Sequence, residues 1–397
     1  MLTIVAIFYN LLIALYHAIT PVGLWRFRAL RPRAAPDPAT APTVAVLVPM
    51  RNEVQNASRC LHALLEQSYP ASRYEIIAID DGSTDGTAEL LEGIRASRPE
   101  GAHPRLRLLR TPPLQEGWTG KSQALWWGSQ AAPDSAHWLL FVDADTFLTP
   151  EALSTAVREA EARGLHMLSL LPFEELDSWW EKVIVPVSLL QLLKSVNLSA
   201  INDDRRPDAA VASGQFILVR HDAYHAVGTH EAIRGEIVES VALARRLRAR
   251  GYLVRMENGF QLAHSRVFRN FEELWESYQR SGAALYWGSL PAVAFNTLAT
   301  AFLDGLPFLW PWIALRRGRS RRRFFSLLAA SLLPPLALLY QRLRSARHFG
   351  TSGWYAFTHP IGVVMTLAIT SSGLLRLLLR RPITWKGREY SPVRSTR

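Results

Sequence analysis

Charge is distributed so unevenly along this 397-residue chain that it limits what the chain can fold into. Met1 to Trp25 contains no Asp, Glu, Lys or Arg, and Ala283 to Leu315 contains only Asp304. Phe324–Tyr340 and Trp354–Leu375 are two further uncharged apolar runs. Stretches of this kind suit a bilayer core of roughly 30 Å. Residues 1–25 read as a transmembrane signal anchor, because Arg26, Arg28, Arg31 and Arg33 follow the apolar run instead of preceding it. The alternative is a buried core helix. The positive-inside rule then places the downstream side in the cytoplasm.

The same rule puts the block Arg316–Arg323 on the cytoplasmic side, which requires an even number of crossings between Gln279 and Arg316. A hairpin turning near Asp304-Gly305 meets that requirement, as does an in-plane segment. The basic stretch Arg342–Arg347 conflicts mildly with it, so the count is four or five. The expectation is a multi-pass cell-membrane protein whose folded domain is cytoplasmic.

A net charge of +11 first suggests a nucleic-acid partner. Divided along the chain, residues 1–42 carry +3, residues 281–397 carry +14, and residues 43–280 carry −6. The basicity belongs to the apolar flanks, where anionic headgroups are its natural counterpart, so no nucleic acid is expected. A single cysteine, Cys60, excludes intramolecular disulfides and any cysteine-based zinc cluster.

Pro32 to Pro42 reads as a Pro/Ala linker, and residues 43–280 as a folded domain ahead of a membrane or interfacial region, 281–397. Thr43–Pro49, Tyr74–Asp80, Arg105–Arg110 and His137–Asp143 have the pattern of strands. Glu53–Gln67, Thr84–Arg98 and Lys121–Ala131 have helical spacing. Such alternation predicts an α/β domain with a mostly parallel, Rossmann-like sheet covered on both faces. Ligands bind at the carboxyl ends of such strands.

The polar clusters fall at those ends. The first strand runs into Pro49-Met50-Arg51-Asn52-Glu53, and the second into Asp80-Asp81-Gly82-Ser83-Thr84-Asp85-Gly86-Thr87. Carboxylates there can hydrogen-bond a base or ribose, and Ser83 or Thr84 would cap the next helix. The bland alternative is an acidic turn. Glycine motifs that cradle phosphates are absent. The fourth strand ends in Asp143-Ala144-Asp145; residues two apart in extended chain face one side, so both carboxylates can reach one cation. Oxygen ligands of this type suit Mg²⁺ or Mn²⁺ shared with a diphosphate. Gly117-Trp118-Thr119-Gly120-Lys121 places one of only four lysines at a helix start, where anions are favoured.

Taken in order, Val-Pro-x-Arg-Asn-Glu, Asp-Asp-Gly-Ser-Thr-Asp-Gly-Thr, Gly-Trp-Thr-Gly-Lys and Asp-Ala-Asp resemble the motifs of family 2 glycosyltransferases. More narrowly, they resemble the membrane-anchored subgroup linked to carotenoid and hopanoid glycosylation. The C-terminal Trp385-Lys386-Gly387-Arg388-Glu389-Tyr390 also resembles that subgroup. The resemblance implies a GT-A fold and inverting, metal-dependent transfer from a nucleotide sugar to a lipid acceptor. It assigns Pro49, Arg51, Glu53, Asp80 and Asp81 to the nucleoside. Asp143 and Asp145 go to the metal and diphosphate, with Lys121 nearby and Arg266 or Arg269 adding a cationic contact. Gly214, Gln215 and His230 fall in segments resembling the acceptor side, although Thr229 stands where the family has a second glycine.

The general base departs from the family pattern. A Glu-Asp or Asp-Asp pair usually precedes Val-x-Leu-Ala-Arg; here the pair is Glu239-Ser240, and a serine cannot accept a proton near neutral pH. Glu239 does the work, Glu236 one turn back does it, or turnover is impaired. A degenerate, non-catalytic membrane scaffold is therefore one competing reading. A processive polysaccharide synthase is another, but its Gln-x-x-Arg-Trp motif is missing. Trp179 to Lys194 reads as a helix able to lie in the membrane interface and admit a lipid, or to pack against the sheet.

Overall fold

The computed structural model describes residues 2–19, 27–195, 200–285, 290–317, 321–379, 383–385 and 388–390. The end of the first apolar run (20–25), Arg26, the centre of the basic block (318–320) and Lys386-Gly387 lie outside the described residues. In chain order the first elements are α1 (Leu2–Ile19), β1 (Val44–Met50), α2 (Ala57–Leu65), β2 (Tyr74–Asp80), α3 (Thr87–Ala96), β3 (Arg105–Arg110), α4 (Gly120–Ala131) and β4 (Trp138–Val142). Next come β5 (Thr146–Leu148), α5 (Ala152–Ala162), β6 (Met167–Leu171), β7 (Phe173–Glu174), α6 (Trp179–Ser195), β8 (Phe216–Arg220), α7 (His221–Ala226) and α8 (Glu239–Ala249). The rest are β9 (Val254–Asn258), β10 (Ala263–Ser265), α9 (Phe271–Leu285), α10 (Leu290–Thr300), α11 (Trp310–Arg317), α12 (Arg321–Ala346), α13 (His359–Leu378), β11 (Ile383–Trp385) and β12 (Arg388–Tyr390). They divide into a sheet unit (Arg26–Glu174, Asn197–Val267) and a helical unit (Met1–Trp25, Glu175–Val196, Phe268–Arg397).

The sheet unit is built on seven strands in the order β3-β2-β1-β4-β8-β6-β9. Only β8 runs antiparallel to its neighbours, β4 and β6. The central strands β1 and β4 are apolar on both faces because both are covered. Val46, Val48 and Ile76 join one core with Leu61 and Leu64 of α2, while Leu47, Ile77 and Ile79 join another with Leu243 and Leu247 of α8. Gly128 seats α4 on that second face, since a Cβ there would lie 2.3 Å from Ile79 Cδ1 and 2.6 Å from Leu47 Cδ2. Strand order reverses beside β1: β2 lies on one flank and β4 on the other. That switch opens a crevice at the carboxyl ends of β1 and β4.

The expected linker is not a spacer. Ala29 bridges to Asn258, with Leu30 N–H donating to Asn258 O and Asn258 N–H to Arg28 O, both at 3.0 Å. Arg28 and Arg33 pair with the buried carboxylate of Glu159. The segment therefore straps the β9 edge of the sheet, a place that tolerates nearby prolines. Its partners lie more than a hundred residues away in sequence, so local composition could not show them.

The helical unit has the opposite polarity. Ile4, Phe8, Phe295, Trp312, Leu336 and Val364 are exposed, whereas Asn10, Lys194, Asp304, Ser331, Arg342 and Thr366 face inward. Two helical stretches, Phe324–Ala346 and Gly353–Arg376, are long and apolar enough to cross a membrane. A third is added if Leu290–Phe308 and Trp310–Arg316, bent by 50°, are taken as one broken span. The described part of α1 is a shorter apolar helix.

Where a hairpin of two crossings or an in-plane segment is expected, the described residues form one bent helix pair. The break after Phe308, beyond the π-turn Ala301–Gly305, leaves α11 only 8 residues, about 12 Å of helix, on its far side. Two or three such stretches lie among the described residues, beside the four or five crossings expected. The awkward Arg342 also finds an explanation. It is buried within α12, and Nη2 donates to the carbonyls of Lys182 and Tyr355 at 3.4 Å. Pro186 inside α6 removes the N–H that would normally bond Lys182 O, so the arginine serves an orphaned carbonyl.

Candidate active site

Three loops converge on the crevice. After β1, Arg51 Nη1 donates to the carbonyls of Asp81 (2.7 Å) and Gly82 (3.0 Å), clasping the β1 loop to the β2 loop. Asn52, at φ +54°, donates its N–H to Ser83 Oγ and accepts from Thr84 N–H through Oδ1 (2.9 Å). Pro49 is partly exposed, and Glu53 is buried with its carboxylate accepting from Asn56. At the end of β2, Asp80 Oδ1 accepts from Ser83 N–H (3.1 Å) and Asp81 Oδ1 from the Thr111 hydroxyl (3.0 Å).

Ser83 and Thr84 do not cap α3, contrary to expectation. The helix starts three residues later, at Thr87, and Gly86 at φ +89° is its N-cap. Asp85 instead accepts from Val54 and Thr87, which makes the second half of that motif scaffolding.

The centre of the site is an ionic cluster. Lys121, in the first turn of α4, places Nζ 2.7 Å and 2.9 Å from the two oxygens of Asp143. The same Nζ lies 2.9 Å from Oε1 of Glu239, the first residue of α8. Thr119 N–H donates to Arg234 O (2.8 Å), fixing the lysine loop against the segment that leads to Glu239. Gly214 makes room for the cluster: a Cβ there would lie 2.9 Å from Lys121 Nζ and 3.2 Å from Glu239 Oε1. Burial favours a neutral Lys121, yet the two carboxylates hold its ammonium well above the ordinary lysine range. Burial likewise works against the Glu239 carboxylate, but Lys121 outweighs it and holds the group below its usual range.

Asp143 and Asp145 do not sit in extended chain as expected. Thr146 N–H donates to Asp143 O (3.0 Å), so Asp143-Ala144-Asp145 is a tight turn and not extended strand. Arg266 is brought alongside, its N–H donating to Asp145 O (2.8 Å). Arg269 belongs to the helical unit, where its N–H donates to Glu273 ahead of α9. The donor set is oxygen-only, which fits Mg²⁺ or Mn²⁺. No group of three or more His, Cys, Asp or Glu gathers among the described residues, so the protein supplies no complete cage. A cation here would need phosphate oxygens and water to complete its shell.

Of the acceptor-side expectations, Gln215 lies in the cluster's wall: Nε2 donates to Ser265 Oγ (2.7 Å), and its carbonyl accepts from Asp143 N–H. His230 is corrected. It is 1% exposed and stacked edge-on against Phe141, so an acceptor cannot reach it. The Tyr224 hydroxyl, 2.7 Å from His230 Nδ1, also accepts the His230 backbone N–H. Burial pushes this imidazole down to about 4, which keeps it neutral. Tyr224, which no motif flagged, is therefore the support for this wall.

Thr229 adopts φ +56°, ψ −164°, a region essentially reserved for glycine, so the backbone keeps the shape that the family's glycine would give. Glu236 is exposed in the turn before α8. Ser240 is buried, with Oγ donating to Ala212 O (3.1 Å). Glu239 is the carboxylate that the fold delivers to Lys121.

A parallel sheet with one antiparallel strand, carboxylates at the β1, β2 and β4 ends, and a lysine between them define a GT-A sugar-transfer scaffold. The description "Glycosyl transferase family 2" matches residues 45–228, and "Glycosyl transferase family group 2" matches residues 138–375. The chain belongs to the family 2 glycosyltransferases.

It is 24% identical over 355 residues to the 4,4'-diaponeurosporenoate glycosyltransferase of Staphylococcus aureus strain USA300, covering 88% of each chain. The counterpart in strain RF122 is 27% identical over 356 residues, again covering 88% of each. Among solved structures, the mannosyltransferase PcManGT of Pyrobaculum calidifontis, in complex with GDP-Man and Mn²⁺, shares the fold. Its TM-score is 0.53 at 18% identity, covering 95% of this chain and 99% of that one.

Proposed function

We propose that this glycosyltransferase moves a single hexose, with inversion, from a nucleotide sugar to a membrane-borne lipid, a carotenoid or other isoprenoid being favoured. The observation that carries the reading is the Lys121 ammonium held between Asp143 and Glu239 at the mouth of the switch crevice. The nucleoside lies over the β1 and β2 ends, near Arg51, Asp80 and Asp81. Its diphosphate is met by Lys121 and Arg266. A Mg²⁺ or Mn²⁺ ion held by Asp145 and Asp143 would offset charge on the departing diphosphate.

An acceptor hydroxyl attacks the anomeric carbon from the face opposite the diphosphate. The anomeric C–O bond breaks, the nucleoside diphosphate leaves with the electron pair, and Glu239 takes the hydroxyl proton. The inverted polarity of the helical unit supports membrane association, with the catalytic unit on the cytoplasmic side where nucleotide sugars are made. Anchoring raises the local concentration of an insoluble acceptor.

A second reading is favoured by Ser240. With its hydroxyl committed to Ala212 O and Glu239 committed to Lys121, the site is poor in bases. A carboxylate acceptor, such as the one named in the staphylococcal relatives, carries no proton to remove.

Membrane vesicles, labelled nucleotide sugars and isoprenoid extracts test both readings. A lipid-soluble labelled product is expected; none with any donor sinks the proposal. For a hydroxyl acceptor Glu239→Gln lowers kcat by about 10²–10⁴-fold with donor binding intact. A loss of only a few-fold selects the carboxylate reading.

A further inference from the structure

The ammonium of Lys121 has three N–H bonds, and three carboxylate oxygens lie within 2.9 Å of it. Two of those oxygens are both oxygens of Asp143, the residue assigned to the cation. Gly214 closes on the ammonium from one side, since a Cβ there would lie 2.9 Å from Nζ. A divalent cation on those same Asp143 oxygens would lie a few ångströms from the ammonium, and two cations so placed repel strongly in a half-buried site.

We infer that Lys121 is a positioning residue that holds Asp143 in reserve until a donor diphosphate draws it away. The inference rests on the reading of Asp143 and Asp145 as cation ligands. It assigns the site an order: the donor's diphosphate arrives with or before the cation, never after it.

The electrostatics favour such an exchange. A lysine is a compact point charge on a flexible stem and pairs readily with phosphate oxygens. When the diphosphate enters, Lys121 exchanges carboxylate oxygens for phosphate oxygens and keeps its charge compensated throughout. Asp143 is then released with its charge uncompensated just as a second anionic group has arrived. Both changes raise the attraction for a divalent cation at that moment and not earlier. In the absence of donor, the Asp143–Lys121–Glu239 cluster carries a net charge of −1, with one ammonium shared between two carboxylates. Removing the lysine alone leaves Asp143 and Glu239 without their shared ammonium, and so able to attract a cation with no nucleotide present.

The test is a water-proton relaxation titration of the full chain in detergent micelles with Mn²⁺ alone, then with Mn²⁺ plus UDP or GDP. The wild type should bind Mn²⁺ alone weakly and tighten when the diphosphate is added. Lys121→Met, and independently Lys121→Gln should the first fail to fold, should bind Mn²⁺ alone at least about tenfold more tightly than wild type, because an uncompensated carboxylate replaces an ion pair. In Lys121→Ala, added methylammonium should weaken Mn²⁺ binding again by refilling the vacated place. Mn²⁺ affinity without nucleotide that is equal in wild type and both variants overturns the placeholder role alone. No Mn²⁺ binding to any form, with or without either diphosphate, removes the cation assignment itself.

Discussion

Among the described residues, two lysines end in lysine–carboxylate pairs of nearly equal length, one in each structural unit. Lys121 meets Glu239 at 2.9 Å in the sheet unit, and Lys194 meets Asp304 at 2.8 Å in the helical unit. Distance does not tell them apart. The surroundings do: the Lys121 side chain is 31% exposed at a crevice, whereas Lys194 is 11% exposed among apolar helices, its partner at the π-turn. A pair that water and ligands can reach is able to exchange partners. A sealed pair can only hold its elements together, because opening it strands a charge.

The same contrast runs through two glycines. A Cβ at Gly214 would meet the movable ends of Lys121 and Glu239. At Gly362 of α13 it would lie 2.5 Å from the backbone carbonyl of Val183 and 2.7 Å from Val187 Cγ2 of α6. The first glycine protects chemistry and the second protects helix packing.

The largest expected effect comes from cutting the sealed pair. Lys194→Met should destabilise the helical unit by about 3–5 kcal/mol, since Asp304 is left buried and alone, and adding Asp304→Leu should restore most of it. Thermal unfolding in micelles measures both; a single variant as stable as wild type would erase the distinction drawn between the pairs.

Next come the glycines. Gly362→Ala should cost about 1–3 kcal/mol of stability because backbone cannot yield, while Gly214→Ala should melt near the wild-type temperature but lose donor affinity. The reverse assignment, measured by unfolding and by nucleotide-sugar titration, would break the comparison.

The smallest effect is an absence of change with pH. Glu239 is held below its ordinary value, so its contribution exists above 4.5 and fades as pH falls through its own lower pKa. Lys121 is held above its ordinary value, so its contribution exists below 10.5 and fades as pH rises through its own higher pKa. The stability gap between wild type and Lys121→Met should therefore stay level across that window. A slope near neutrality in unfolding scans would show that another group shares the pair's proton balance.

Much of the sheet unit was legible in the sequence. The reading of Tyr74–Asp80 and Arg105–Arg110 as strands coincides with β2 and β3, and the other two fall within a residue of β1 and β4. In β1, β2 and β4 short, largely buried apolar runs carry that signal without help from distant residues, and in β3 the alternation of Arg and Leu carries it. The start of α3 was misplaced because Ser83 and Thr84 have better partners in the β1 loop than in their own helix. Tyr224 left no signal at all, since a tyrosine in a short helix announces nothing until its hydroxyl is seen against His230.

By itself, then, the sequence determined the alternation of strands and helices, the placing of carboxylates at strand ends and the division of charge between a mildly acidic middle and basic flanks. These are local properties, set by periodicity and by residues a few positions apart. The tertiary structure decided which glutamate reaches Lys121, that Ser240 turns to a backbone carbonyl, and that His230 lies beneath the site and not in it. It also decided that Arg28 and Arg33 brace the sheet unit, and that Arg342 serves the carbonyl Pro186 leaves bare. Each of these depends on a partner brought from far along the chain, and burial, not residue type, fixes what a charged side chain can do.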